Sequence, residues 1–390
     1  MPEKLSPSDF LEAAKTYPVL DVRSPGEYTR ARIPGAISFP IFDDEQRAAV
    51  GTCYKQKGKD KAIELGLEFV GPQLATWVKK AKKLAVDNTI LVHCWRGGMR
   101  SGSMAWLFET AGLQVKILVG GYKAYRNEVL AIFEQPIPFR VLGGKTGSGK
   151  TEILHELAKR GHQVLDLEGI AHHRGSAFGH LGLEVQPTSE HFENEVHRIL
   201  CGFDYGREIW VEDESRHIGQ VFMGAPLYNQ LREAPVVFLD IEPVYRLPHL
   251  VNVYASYPKE DLATALGKIK KRLGLDRYAI AMEALEADDF SLVAEITLYY
   301  YDKAYMYGLG QRENDKITRI EVRTLDPVEQ TDLLLSHASR RVTFPSLKEG
   351  VPETFPVNSP SLSSGSVPIK FSIPNNAAIG FVIKLLVAVI

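Results

Sequence analysis

Phe139-Arg140-Val141-Leu142 runs through Gly143 into Gly144-Lys145-Thr146-Gly147-Ser148-Gly149-Lys150-Thr151, and a helical pattern follows from Thr151 to Arg160. This is a buried strand, a G-x-x-x-x-G-K-[ST] loop and a helix in immediate succession. Gly144, Gly147 and Gly149 let main-chain N–H groups surround a phosphate, Lys150 neutralises its charge, and Thr151 can hold Mg²⁺. A strand that feeds a helix in this way belongs to a parallel sheet with crossover connections, so the flanking sequence should alternate strand and helix. It does. Gln163 to Leu167, Ile209 to Glu212 and Val236 to Asp240 read as further short buried strands of the same block.

The preceding block repeats the pattern with Val19 to Val22, Thr89 to Val92 and Val115 to Val119. Thr89 to Val92 leads into His93-Cys94-Trp95-Arg96-Gly97-Gly98-Met99-Arg100-Ser101, with a helix expected from about Ser101 to Ala111. Cys94 then sits at the carboxyl edge of a sheet, where open α/β folds place their sites. The free N–H groups and dipole of the next helix point back at it. Arg96 and Arg100 add positive charge, and both effects favour thiolate over thiol. Gly97 and Gly98 allow the backbone to curl around one anion. Cys53 and Cys201 lack this setting and read as packing residues.

The chain has 390 residues, enough for two to three domains. The two prolines of Glu134-Gln135-Pro136-Ile137-Pro138 favour an extended connection. The expected division is therefore residues 1–135, 139–341 and a remainder, 342–390. Residues 342–376 hold 6 of the chain's 22 prolines and 7 serines, too little apolar surface to offset chain entropy. The 14-residue apolar stretch 377–390 is too short to span a bilayer, and no membrane partner is expected. Three cysteines exclude a disulfide scaffold, and with no signal sequence they suit a reducing cytoplasm. A net charge of −2 excludes a uniformly basic nucleic-acid coat, so any RNA site must be a local patch.

Two acidic strand ends could complete the phosphate site. Glu212 or Asp213, ending Ile209 to Val211, could face Mg²⁺. Asp166 stands where phosphate-loop kinases put a residue that meets the acceptor. His172-His173-Arg174 in the loop after Asp166 reads as a cation-rich wall for a second anionic substrate, with His173 and Arg174 its candidates. Adjacent histidines point apart, so a metal is not expected there. From Cys53 to Lys83, eight lysines face Asp60, Glu64 and Glu68, a local charge of +5. Lys55, Lys79, Lys80, Lys82 and Lys83 are the candidates for holding RNA phosphates. Lys268, Lys270, Lys271, Arg272 and Arg277, with Tyr278 and the tyrosines from Tyr299 to Tyr307, form a second run. Either run is also what a solvated helix face looks like.

Asp21-Val22-Arg23-Ser24-Pro25-Gly26-Glu27-Tyr28 and Arg32-Ile33-Pro34-Gly35-Ala36-Ile37 resemble the opening of rhodanese domains. In that family the loop cysteine carries sulfur or selenium; Asp21, Arg23 and Glu27 read as structural. Cys94 and Arg100 also satisfy the Cys-x5-Arg cradle of the related cysteine-dependent phosphatases. Gly51 to Gln56, Cys94 to Ser101, Gly144 to Thr151, Glu168 to Ser176 and Glu212 to Ser215 together resemble the bacterial tRNA 2-selenouridine synthases, over about residues 5–340. The resemblance implies an α/β chain with an N-terminal rhodanese-like parallel-sheet domain followed by a P-loop NTPase-like parallel-sheet domain. It also implies exchange of the sulfur of 2-thiouridine at the wobble position of lysine, glutamate and glutamine tRNAs for selenium. Geranyl diphosphate first alkylates the sulfur, and selenophosphate then supplies selenium, with Cys94 as perselenide carrier and Arg96 and Arg100 holding its anion. Both small molecules are substrates, and no resident cofactor or firm metal site is expected. The competing expectations are a sulfurtransferase or cysteine phosphatase fused to an ATP-using P-loop kinase, and a regulatory module that binds without turnover.

Overall fold

The computed structural model describes residues 2–338, so the Pro/Ser-rich segment and apolar tail at 342–390 lie outside the described residues. Two compact units divide between Ala131 and Ile132, at the end of the helix Gly121–Ile132 and shortly before Pro136.

The first unit contains strands β1 (Glu3–Leu5), β2 (Val19–Asp21), β3 (Ile37–Ser38), β4 (Thr89–His93) and β5 (Gln114–Leu118). They form one parallel sheet in the order β1-β5-β4-β2-β3. All five residues of the central β4 are buried, which is why that strand reads as an unbroken apolar run. The edge strands were illegible for the complementary reason. β1 is Glu-Lys-Leu, with two exposed residues, and is held by pairing to Lys116, Ile117 and Leu118 rather than by its own composition. Behind the sheet, Leu20, Val92, Phe108, Val115 and Ile117 belong to one core. The helices Asp44–Lys57, Lys59–Val70 and Leu74–Leu84 bury one face each, Val50, Ile63 and Trp77 among the buried residues.

The second unit contains β6 (Phe139–Gly144), β7 (Gln163–Leu165), β8 (Ile209–Glu212), a small hairpin of β9 (His217–Ile218) and β10 (Val221–Phe222), then β11 (Val236–Ile241) and β12 (Ile317–Val322). The main sheet is again fully parallel, ordered β12-β11-β6-β8-β7, with β6 in the middle. The alternation expected from the sequence is what forms. β12 was missed because an edge strand alternates exposed and buried positions, as in Ile-Thr-Arg-Ile-Glu-Val. Between β11 and β12 the helices Pro243–Ala255, Lys259–Leu273, Leu275–Glu286 and Phe290–Leu309 build a separate core around Leu262, Leu266, Val293 and Leu298. Phe178 and Leu181 of the histidine-containing loop pack into it. Among the described residues no helix is long and apolar enough to cross a membrane.

Candidate active sites: the cysteine loop and the phosphate loop

Cys94 follows the last residue of β4 directly and is 3 % exposed. The next helix is Met99–Thr110, and Gly98 before it supplies no side-chain cap, so the first N–H groups are left to the loop. Cys94 Sγ lies 3.3 Å from Ser101 Oγ, and that hydroxyl is 3.2 Å from the Gly98 carbonyl. Arg96 is exposed. Arg100 is held: its guanidinium donates to Glu27 Oε2 at 2.9 Å, and Arg47 donates to the same oxygen at 2.9 Å. Burial alone would raise the Glu27 carboxyl, but Arg100, the Ser24 N–H and Arg47 outweigh it and hold the group at about 2 against an ordinary 4.5. Glu27 therefore has two tasks, closing the capping box of the helix Pro25–Arg30 and holding Arg100.

The depressed value carries a sign. This ion pair contributes stability fully above the ordinary carboxylate range, and the contribution is lost as pH falls from about 4.5 through about 2. Glu27→Gln should leave Arg100 without its anchor, lower the reactivity of the Cys94 thiol toward an alkylating reagent by about tenfold, and remove that acid limb from a pH–stability curve. Unchanged reactivity in the variant would mean that Arg100 needs no anchor.

Beneath the loop the structure places residues that sequence reasoning passed over. The Tyr122 N–H donates to the Cys94 carbonyl at 2.8 Å and the Lys123 N–H to the Trp95 carbonyl at 2.9 Å. This approach needs Gly121, whose φ is +61°: a Cβ there would meet the Cys94 carbonyl oxygen and the Gly97 nitrogen. Gly97, at φ +65°, is likewise pressed to 2.6 Å from the Leu118 carbonyl oxygen, measured from an ideal Cβ. Both obstructions are backbone and cannot rotate away. Gly121→Ala should destabilise the protein by at least about 2 kcal/mol, seen as a lower thermal midpoint together with loss of Cys94 reactivity. The only sequence signal was the Gly120-Gly121 pair after β5. Below it lies a buried polar core: Arg23 donates to Asp21 at 2.6 Å and stacks 3.9 Å from the Tyr122 ring centre. Burial, against the pull of Asp21, holds His93 below the ordinary histidine range and so neutral.

In the second unit Gly144 ends β6 and Lys150 opens the helix Lys150–Lys159. Gly147 and Gly149 have φ of +79° and +77°, which turn the loop between strand and helix. Lys150 Nζ donates to the Gly144 carbonyl at 3.0 Å, folded back over the loop. Thr151 Oγ1 donates to Glu168 Oε2 at 3.3 Å. The loop is braced from behind. Fully buried Arg246 donates to the Thr146 carbonyl at 2.9 Å and pairs with Asp302 at 2.6 Å. Tyr305 Oη accepts from the Gly144 N–H at 3.0 Å.

The acidic candidates fall out differently from expectation. Thr151 meets Glu168, whereas Asp213 is taken up by other partners. Its carboxylate receives Arg312 at 2.5 Å and the Tyr305 hydroxyl at 2.9 Å, so both oxygens are used in bracing. Its chain neighbour Glu212, the last residue of β8, points to the opposite face, as successive residues of extended backbone do. Glu212 is 2 % exposed, accepts from the Glu168 N–H at 2.6 Å, and keeps Oε2 without a hydrogen-bond partner among the described residues. Burial first, then Asp166 and Glu168, raise its carboxyl well above the ordinary range. Glu214 is raised for the same reasons, with Glu168 its main charged neighbour and Lys150 opposing. Asp166 caps the helix Leu167–Ala171, accepting from the Gly169 N–H at 2.7 Å. Glu168, which sequence reasoning did not single out, is thus the carboxylate that meets Thr151.

His173 is buried, and burial, then His180 and Lys268, hold it down to about 4. Arg174 is exposed and donates to the Tyr257 hydroxyl at 3.1 Å. Lys55, Lys79, Lys80, Lys82 and Lys83 are all exposed on the solvent faces of the first unit's helices. Of the tyrosines, Tyr305 and Tyr301 are bonded inward, to Gly144 and to the Ala177 N–H, whereas Tyr299 and Tyr307 are exposed. No group of three or more histidine, cysteine or acidic side chains suited to a metal occurs among the described residues.

Comparison with known proteins covers both units. The rhodanese-like domain family matches residues 6–128, and the tRNA 2-selenouridine synthase AAA domain family matches residues 137–331. A tRNA 2-selenouridine synthase of Aeromonas salmonicida is 35% identical over 344 residues, covering 78% of this chain and 90% of that protein. One from Serratia proteamaculans is 33% identical over 340 residues, covering 77% and 89%. One from Bordetella bronchiseptica is 36% identical over 330 residues, covering 74% and 88%. With the cysteine loop and the phosphate loop each in its own parallel-sheet unit, and relatives of this similarity along both, the chain belongs to the tRNA 2-selenouridine synthase family.

Proposed function

We propose that the protein is a transferase that converts 2-thiouridine at the wobble position of lysine, glutamate and glutamine tRNAs to 2-selenouridine. The thiocarbonyl sulfur attacks the first carbon of geranyl diphosphate and diphosphate departs; selenium from selenophosphate then displaces the alkylated sulfur as geranylthiolate. Alkylation is what turns a poor leaving group into a good one. Cys94 acts on selenophosphate as a nucleophile: its sulfur bonds phosphorus, the P–Se bond breaks, and hydrogen selenide leaves at the same oxidation level to displace geranylthiolate. Water then hydrolyses the cysteinyl phosphate, with Arg100, held by Glu27, and Arg96 supplying positive charge. Gly144, Gly147, Gly149, Lys150 and Thr151 hold the diphosphate. The observation that carries the reading is the presence, in one chain, of a buried cysteine at a helix N-terminus and a phosphate loop whose lysine is already folded over it.

The residues around Thr151 fit Mg²⁺. Its hydroxyl and Glu168 are adjacent, and the buried Glu212 Oε2 lacks a partner. Mg²⁺ held there would supply positive charge to a departing diphosphate. The exposed lysines at 55, 79, 80, 82 and 83 serve RNA phosphates, and the protein works in the cytoplasm, where its substrates are.

The test is to incubate the full chain with a 2-thiouridine-containing tRNA, geranyl diphosphate and selenophosphate, and to analyse the nucleosides by mass spectrometry. Geranylated and selenated nucleosides are expected in succession. Neither product would overturn the reading.

A further inference from the structure

The loop after Asp166 is drawn closed by its own backbone. The Arg174 N–H donates to the Gly179 carbonyl at 3.0 Å and the Gly179 N–H to the Ser176 carbonyl at 2.9 Å. An ideal Cβ on Gly179 would lie 2.8 Å from the Arg174 nitrogen and 3.0 Å from His173 Cε1, so the closure tolerates little else there. It brings His173, Arg174 and His180 together. The two imidazoles lie nearly parallel, 17° apart with centroids at 6.4 Å, and Lys268 of the helix Lys259–Leu273 places Nζ 3.4 Å from His180 Nε2.

The chemistry of these groups points one way. An ammonium is donor only, so His180 Nε2 accepts and its proton sits on Nδ1. That Nδ1 is buried without a hydrogen-bond partner among the described residues, and so is Nδ1 of His173, itself 7 % exposed. Unpaired buried polar atoms cost free energy, and a site that retains two of them beside a lysine is built for something absent. Arg174 has the neutral Tyr257 hydroxyl as its hydrogen-bond partner, and among the described residues no carboxylate forms an ion pair with Arg174 or Lys268. The acids near this loop bear on its other residues. Glu184 faces His172, and Glu168 and Glu214 flank Gly175. The guanidinium and the ammonium repel a cation, and the unpaired His180 Nδ1–H is a donor, so the missing group is an anion.

We infer that His173, Arg174, His180 and Lys268 form a second phosphate site, separate from the phosphate loop but in the same unit. Its placement explains its use. Gly175, next to Arg174, packs against Glu168 and Glu214, and Glu168 meets Thr151. One loop therefore joins the phosphate loop to this site. The site deepens the functional reading above and rests on it. The phosphate is either one of the RNA backbone or that of a second small substrate.

Two arms separate these sources, using Lys268→Ala and His180→Ala in the full chain, with Lys268→Arg as the variant that keeps the charge. In the first, affinity for a transcribed tRNA is measured across salt concentrations. A backbone phosphate predicts weakening of about tenfold at low salt and a salt slope shallower by about 0.9, both restored by Lys268→Arg. In the second, calorimetry follows inorganic diphosphate binding in a Lys150→Ala background. A small-molecule phosphate predicts residual binding that Lys268→Ala abolishes. Loss in either arm supports the site and names its source. Wild-type binding of tRNA and diphosphate that neither variant alters overturns it, whereas a wild-type chain that binds neither ligand overturns the functional reading and this site with it.

Discussion

Cys94→Ala is expected to form no detectable 2-selenouridine, a loss of at least about a thousandfold, because removing the nucleophile removes the step itself. No other thiol can substitute. Cys53 lies within the helix Asp44–Lys57, and Cys201 follows the helix Ser189–Leu200 of the second unit. The position also has no equivalent, being 3 % exposed at the mouth of an uncapped helix with Ser101 Oγ 3.3 Å from sulfur. Cys94→Ser keeps a hydrogen-bonding atom there but replaces the thiolate by a far weaker nucleophile, and should be as inactive. Geranylated nucleoside should still form in Cys94→Ala if the diphosphate is consumed at Lys150. Mass spectrometry of both nucleosides therefore reads the division of labour, and equal loss of the two products would mean one shared site.

Lys150→Ala should lower the step that consumes diphosphate by about a hundredfold or more, the scale of losing one charged donor from a preorganised anion site. Lys150 Nζ already bonds the Gly144 carbonyl at 3.0 Å, so it is positioned over the loop before any ligand arrives. Its loss has a second effect. Lys150 opposes the rise of the Glu214 carboxyl, and without it Glu214 is driven further toward the protonated form. Geranylated nucleoside should accumulate slowly while Cys94, in the other unit, keeps its reactivity toward selenophosphate. Unaltered kinetics of both steps would show the phosphate loop to be idle.

The two loops were legible because their chemistry is local. Gly144 to Thr151 and His93 to Ser101 are contiguous, and a short strand, glycines and a helix start are enough to converge N–H groups on one point. Buried central strands such as β4 announce themselves as apolar runs, whereas β1 and β12, at sheet edges, do not.

The amino-acid sequence by itself determined the parallel α/β class, the cysteine and the phosphate cradle, because each depends on residues adjacent in the chain. Tertiary structure alone decided the company those residues keep. Glu27 reaches Arg100, Tyr305 reaches Asp213 and Lys268 reaches His180 across 73 to 92 positions. Glu212 and Asp213 are neighbours in sequence, yet successive residues of extended backbone face opposite sides, so one joins Glu168 near Thr151 and the other pairs with Arg312. Composition is blind to that choice. It is made by what packs against each face of β8.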